Sequence, residues 1–365
     1  MKKLLFSLLT ALTTLGAVTT LTVAPASAVP PVRYWQEATS GLSVSGTYQP
    51  VIGNFAGSAT DDIWWYAEGS ATDHLWTSNG DATFAKQALP MTVPTGATPL
   101  VGDFAGDAHE DILWYGRGAI GDVLWESTTT GFRTIAVNVS GSYQTAVIDD
   151  AIGRDDVIFV GAASGSIWSF ASKSGTYRSR SITPPFAGAT LLPGRFDTDG
   201  CGDLFWHDPA ALGAHIRWTL DCDGRVTDAI GYVMSADYEP YVGQFSPGRD
   251  AQDDILWVGL GGARSELWEN ERPDAWPTRP VTVPTRGTLL PVSNGYGLIH
   301  AWDASVGTHQ VWFRLPGGHD FNASLSNTTI GSSYQPVVGS FVGAGADILW
   351  YRPGTSPERL FWMAG

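Results

Sequence analysis

Residues 53–66 read GNFAGSATDDIWWY, residues 102–115 read GDFAGDAHEDILWY and residues 339–351 read GSFVGAGADILWY. Each stretch opens on a Gly after an apolar pair, continues with an aromatic residue and a short polar turn, and ends in an Asp followed by β-branched and aromatic residues. Looser copies run over 194–206 and 243–257. A third keeps the pattern at Asp156-Val157-Ile158-Phe159 without its Trp, and a sixth, at Leu298-Ile299, has lost the Asp. The anchors Asp62, Asp111, Asp156, Asp203 and Asp254 are spaced 49, 45, 47 and 51 residues apart, and the step of 93 from Asp254 to Asp347 spans two units. A second phrase follows each anchor and ends in Trp: Trp76, Trp125, Trp168, Trp218, Trp268, Trp312 and Trp362. The residue before that Trp is apolar except for Arg217. Seven units result.

Each unit reads as four short strands rich in β-branched and aromatic residues, separated by Gly, Asp, Ser and Pro. In the first unit these are 49–55, 62–66, 74–78 and 84–91. No stretch sustains a helical period. Four strands in a repeat of this length is the signature of a propeller, so the fold class is all-β, a seven-bladed β-propeller. The last unit, 334–363, stops after its third strand, while residues 32–40 lie where a fourth strand belongs. Pairing the two closes the ring and removes the exposed edges of an open array. The expected organisation is a signal peptide over 1–28 and a single propeller domain over 29–365.

The leader reading rests on Lys2 and Lys3, the apolar run Leu4 to Leu15 and the small residues Ala26-Ser27-Ala28, with cleavage near Ala28. The run is short for a membrane span and broken by Thr10, Thr13 and Thr14. A secreted, extracellular chain is expected, without membrane insertion. Of its 21 basic residues two leave with the leader, against 36 acidic ones. That balance argues against nucleic acid as a partner, which needs clustered Lys and Arg. With only two cysteines, the fold must stand on its own core.

The stretch Phe196-Asp197-Thr198-Asp199-Gly200-Cys201-Gly202-Asp203-Leu204 resembles the FG-GAP or VCBS-type repeat, which builds the seven-bladed propeller of integrin α-chains and of many secreted bacterial proteins. The resemblance implies calcium in the loop between strands a and b, a hard cation held by oxygens in a Gly-bearing turn. Carried over, it gives Asp197, Asp199 and Asp203 in unit four, where Arg195 stands at the family's first ligand position. Unit two offers Asp103, Asp107 and Asp111, with Ala105 and Ala108 in place of a ligand and the Gly. The alternative is that each Asp caps its turn on nearby backbone N–H groups. Cys201 in the a–b loop and Cys222 in the c–d turn of unit four lie at the same end of an antiparallel blade, so a disulfide is expected.

Sixteen Trp suggest sugar stacking, but a Trp fixed by repeat position packs between blades. The off-register aromatics Trp35, Trp64, Trp276 and Trp302 are the ligand candidates. The b–c loops supply His207, Asp208 and His215 in unit four and Asp303 and His309 in unit six, beside His74, Arg117, Arg264 and Arg352. No nucleophile elbow, HExxH helix or phosphate loop occurs. The reading is a monomeric, non-enzymatic binding module for an extracellular glycan. The alternatives are a protein–protein adhesion scaffold binding a surface protein, and a polysaccharide lyase or hydrolase.

Overall fold

Strand b of the first blade, Asp62–Tyr66, pairs antiparallel with Gln49–Gly53 and with Asp73–Ser78, and Phe84–Leu89 completes the sheet. The structure, a computed structural model, describes residues 35–39, 41–68, 72–118, 120–150, 153–170, 176–208, 215–234, 237–246, 252–261, 263–270, 276–283, 287–292, 298–314, 320–323, 328–343, 347–354 and 357–363. The expected leader lies outside them. Blades two to six follow in chain order, each a meander of four strands a to d. Their b strands are Asp111–Tyr115, Asp155–Val160, Asp203–His207, Asp254–Gly259 and Leu298–Asp303. In blade six an extra strand, Thr328–Thr329, also pairs strand c. The architecture is the seven-bladed propeller that the repeat count predicts.

Blade seven combines both ends of the chain. Gln335–Gly339, Asp347–Tyr351 and Arg359–Met363 are joined by Trp35–Ala38, with Trp35 opposite Met363 and Ala38 opposite Leu360. The closing strand is shorter than the stretch 32–40 but in the expected place. Arg359 donates from Nε to Glu37 Oε1 at 2.7 Å across it. The segment behind it continues the seal: Gly46 and Gly354 exchange backbone bonds, and Glu358 N–H donates to Leu42 O. One register assignment needs correcting. Phe361, not Trp362, faces Ile348 as Trp76 faces Ile63.

The core is a ring of seams rather than one centre. Trp65 and Trp76 pack with Leu349 and Tyr351 between blades seven and one, and Trp64 packs with Trp114 and Trp125 between blades one and two. Equivalent clusters fill the other seams. Consecutive residues of one strand point to opposite faces, and here both faces meet a neighbouring blade, so strand b is buried at all five positions in blades one, two, four and seven. Burying a Trp removes roughly 150–250 Å² from water, about 4–6 kcal/mol of apolar transfer. The Trp content is therefore spent on holding blades together.

Polar contacts cross the seams as well. Arg314, 5 % exposed, reaches from blade six to blade five, where its Nη2 lies 2.5 Å from Glu269 Oε1 and its Nη1 donates to Ser246 Oγ at 3.3 Å. Arg279 also pairs with Glu269. Arg314→Ala removes one of two cations from a buried carboxylate, and we expect a loss of about 2–3 kcal/mol, below the full cost of an orphaned buried charge because Arg279 remains. Urea unfolding measures it.

Candidate functional site

The a–b turns were the expected metal loops. In each blade that keeps the anchor Asp in the full pattern, its carboxylate is buried and occupied by the backbone. Asp111 Oδ2 accepts Ala105 N–H at 3.0 Å and its Oδ1 accepts Ser127 N–H at 2.8 Å. Asp62 holds Ala56 and Ser78, Asp203 holds Phe196 and Leu220, and Asp254 holds Phe245 and Asn270 in the same way. In these four blades the anchor thus ties the a–b turn to the far end of strand c, while in blade seven Asp347 Oδ2 accepts Val342 N–H in the turn. The remaining candidates serve their own turns. Asp103 accepts N–H bonds from Gly106, Asp107 and Ala108, Asp107 accepts one from His109, Asp197 one from Asp199, and Asp199 one from Cys201.

These residues do not fit a calcium ion. Neither Asp103, Asp107 and Asp111 nor Asp197, Asp199 and Asp203 bring three ligand oxygens together. Among the described residues the one convergent group of three is Asp199, Cys201 and Cys222, whose two cysteines form a disulfide with Cα atoms 5.3 Å apart. Arg195, at the family's first ligand position, donates instead to Asp149 at 2.7 Å. The carboxylates cap their turns, the alternative weighed in the sequence. The capping has a weak point at Ala108, which stands at φ 65° where unit four has Gly200 at φ 86°. A side chain in the left-handed region costs about 1–2 kcal/mol, so Ala108→Gly should raise stability by about 1 kcal/mol in a thermal melt, less what the freer unfolded chain takes back.

The residue before each anchor is a feature that the sequence reading passed over. Asp61, Glu110, Asp155 and Asp253 each reach the preceding blade, where their carboxylates accept the N–H of Ser340, Asn54, Asp103 and Arg195 at 2.6–2.9 Å. Their own N–H groups donate to the carbonyls of the same four residues. The acidic doublets visible at 61–62, 110–111, 155–156 and 253–254 are thus one residue for the blade and one for its neighbour. Blade four has Gly202 instead. A Cβ there would stand 2.5 Å from Ile148 Cβ, so the acid has no room. Beside it opens a cavity of about 140 Å³ lined by Asp149, Arg195, Gly202 and Asp253 together with Val147, Ile148, Pro193 and Gly194.

Burial pushes the carboxyls of Asp62 and Asp254 up to about 6 and those of Asp111, Asp203 and Asp347 up to about 7, although backbone N–H bonds pull the other way. In the unfolded chain they titrate near 4. The folded protein therefore holds more protons between about pH 4 and 7, and its stability falls as pH rises through that window. Burial also pulls His207 and His309 down to about 4; their contribution is complete above about 6.5 and lost as pH falls toward 4. The carboxyls outnumber the imidazoles, so the melting temperature should rise between pH 7.5 and pH 5. A monotonic fall over that range contradicts the buried clamps.

The expected ligand residues fall into two groups. Trp64 is 0 % exposed, edge-on to Trp125 at 5.6 Å, and Trp302 packs on Trp350 at 4.7 Å. Trp276 is buried against Phe196 at 5.3 Å. None of the three offers a face to a sugar, because leaving one blade face only enters the next seam. The side chain of Trp35 lies outside the described residues. The imidazoles are paired: His207 Nδ1 lies 3.1 Å from His215 Nδ1, and His309 Nε2 lies 2.9 Å from His300 Nδ1. His300 was not singled out, since blade six has lost the anchor that sets the register. Asp208 and Asp303 are half-buried at the starts of their b–c loops.

No family model matches the chain and no curated protein matches it. Solved structures do. A virginiamycin B lyase from Staphylococcus aureus, a catalytically inactive variant crystallised with quinupristin, superposes with a TM-score of 0.53 at 11% identity, covering 91% of this chain and 100% of that one. The exotype rhamnogalacturonan lyase YesX gives a TM-score of 0.47 at 10% identity, covering 90% of this chain and 75% of that one. At such identity the first likeness is one of fold. No helix among the described residues is long and apolar enough to cross a membrane.

Proposed function

We propose that the chain is a secreted binding module that recognises an extracellular glycan without turning it over, and that the cavity between blades three, four and five receives it. The observation that carries this reading is the make-up of that cavity. Two acidic residues, Asp149 and Asp253, and Arg195 line it together with Gly194 and Gly202, which have no side chain to fill it. Planar groups that donate or accept in pairs suit the adjacent hydroxyls of a sugar ring. At about 140 Å³ the cavity is smaller than the roughly 300–1,000 Å³ of a drug-sized site, so it takes one ring or one protruding substituent. The seams already hold Arg195 and Asp253 in place, and a preorganised group costs little to order on binding.

A glycan array with the mature protein tests this reading, followed by titration of the best hit with Asp149→Asn and Arg195→Ala. Binding that both variants weaken supports the cavity. Silence across the array, or binding indifferent to both changes, removes it. A second reading, a protein partner, draws on three exposed apolar residues, Val233, Leu260 and Val306. All lie in d–a or b–c connections of blades four to six, at the end of the blades opposite the a–b turns. Release of a new reducing end or an unsaturated product from a bound polysaccharide would instead make the chain an enzyme.

A further inference from the structure

The clearest copies of the repeat show what a blade can carry where strand b ends and strand c begins. Blades one, two and seven close strand b on Tyr66, Tyr115 and Tyr351. Blades one and two open strand c on Asp73 and Asp122, which accept the N–H of Ala67 at 3.0 Å and of Gly116 at 2.8 Å and so fasten the start of the b–c loop. In blade five Ser265 does the same for Gly259. Blades three, five and six depart at both positions, with Val160 and Gly165, Val258 and Ser265, and Trp302 and His309, and blade four alone places an imidazole at each. Its Tyr is His207 and its Asp is His215, directly opposed across the two strands.

The two rings lie within 17° of parallel, with their Nδ1 atoms 3.1 Å apart. Trp257 of blade five covers His207, its ring centroid at 5.1 Å. A zinc-like ion binds imidazole nitrogen at about 2.0–2.1 Å, so two such donors on one tetrahedral ion stand about 3.3–3.4 Å apart. The pair, at 3.1 Å, needs to open by only about 0.2–0.3 Å to reach that bite. Both rings are buried, His207 at 5 % and His215 at 3 % exposure, and a neutral imidazole is the form that ligates. Asp208 is the one carboxylate whose charge acts on both rings, and it favours a cation there. Tyr232, paired with His215 on strand d, is the neighbouring phenol.

We propose that His207 and His215 chelate a divalent transition-metal ion of the copper–zinc kind at the b–c end of blade four, with water or a ligand atom completing its shell. Imidazole donors suit these ions, and of the common ones Cu²⁺ binds nitrogen sites most strongly, which makes it the probe. Without metal the two rings share one hydrogen between their Nδ1 atoms. On binding, the ring that donated it carries its proton on Nε2 instead, so both Nδ1 lone pairs face the ion and the net proton count is unchanged.

The test uses the mature protein after treatment with a chelator, titrated with Cu²⁺ and followed by electron paramagnetic resonance. We expect a bound species with hyperfine structure from two nitrogens, lost in His215→Asp and in His207→Tyr. Each variant restores the residue that other blades carry at that position, so the blade has a precedent for folding with it, and an unchanged melting temperature without metal confirms that. The second variant keeps the test decisive if the first does not fold. Absence of a two-nitrogen species, or its persistence at the same stoichiometry in both variants, overturns the proposal.

Discussion

Asp111→Ala should lower the stability of the protein by about 3–5 kcal/mol. The carboxylate is 0 % exposed and holds two backbone N–H groups, one in the a–b turn and one at the end of strand c. Truncation leaves both donors buried without an acceptor, at about 1–3 kcal/mol each, and adds a small cavity. Relief of the carboxylate's own desolvation, which holds its pKa up at about 7, offsets part of this at neutral pH. The loss should therefore be smaller at pH 7.5 than at pH 5, because the native Asp gains stability on acidification and the variant has no such group. The control is Asp81→Ala, which removes an exposed acceptor from a hairpin turn of blade one and should cost under about 1 kcal/mol. Equal costs in urea unfolding would falsify the clamp.

Much of the fold was legible because a propeller repeats its chemistry. The anchor Asp, the Gly before it and the Trp of strand c recur at nearly fixed spacing, and each recurrence marks a strand that must bury both faces. Erosion of a unit limits that legibility. Blade six lacks the anchor, and His300, two residues after Leu298, could not be recognised as the partner of His309. Blade seven shifts its aromatic by one, and Phe361 takes the place that Trp362 holds on paper. The misread site residues fail for one physical reason. Alternation within a strand separates inside from outside only when one face meets water, and here Trp64 and Trp302 leave one seam for another. The acidic doublets were visible in the sequence, yet only their second members form the repeat's own turn. The first members act on the preceding blade, and a contact between units has no signature within one unit.

The candidate site was less legible than the fold. The cavity depends on Gly202, where close approach of Ile148 excludes the acid that blades one, two, three and five carry, and on Arg195, which the family pattern marks as a defect. Both read as losses in a repeat and become the walls of a pocket only in three dimensions. The disulfide was legible, since Cys201 and Cys222 lie in the two turns at one end of blade four. The resemblance suggests calcium, and the hydrogen bonds show the same carboxylates capping turns. A carboxylate in a turn is needed by backbone N–H groups whether or not an ion is present, so the Asp pattern alone does not distinguish the two uses.

The central structural claim is that the N-terminal strand closes the ring. Trp35–Ala38 forms the whole of its pairing with Arg359–Met363, and without it strand c of blade seven becomes an open edge. The segment behind it holds blade seven to blade one through Gly46 with Gly354 and through the Tyr351 hydroxyl, which accepts Tyr48 N–H at 2.8 Å. A ring loses more than one strand's contacts when opened, because each blade is stabilised by both neighbours. The direct measurement is the thermal melt of a chain beginning at Val29 beside a chain beginning at Leu42, each with and without a synthetic peptide of residues 29–41. The closed ring predicts that the shortened chain aggregates or melts at a much lower temperature and that the peptide restores part of the loss. A shortened chain that melts cooperatively at the temperature of the full one, indifferent to the peptide, would contradict it.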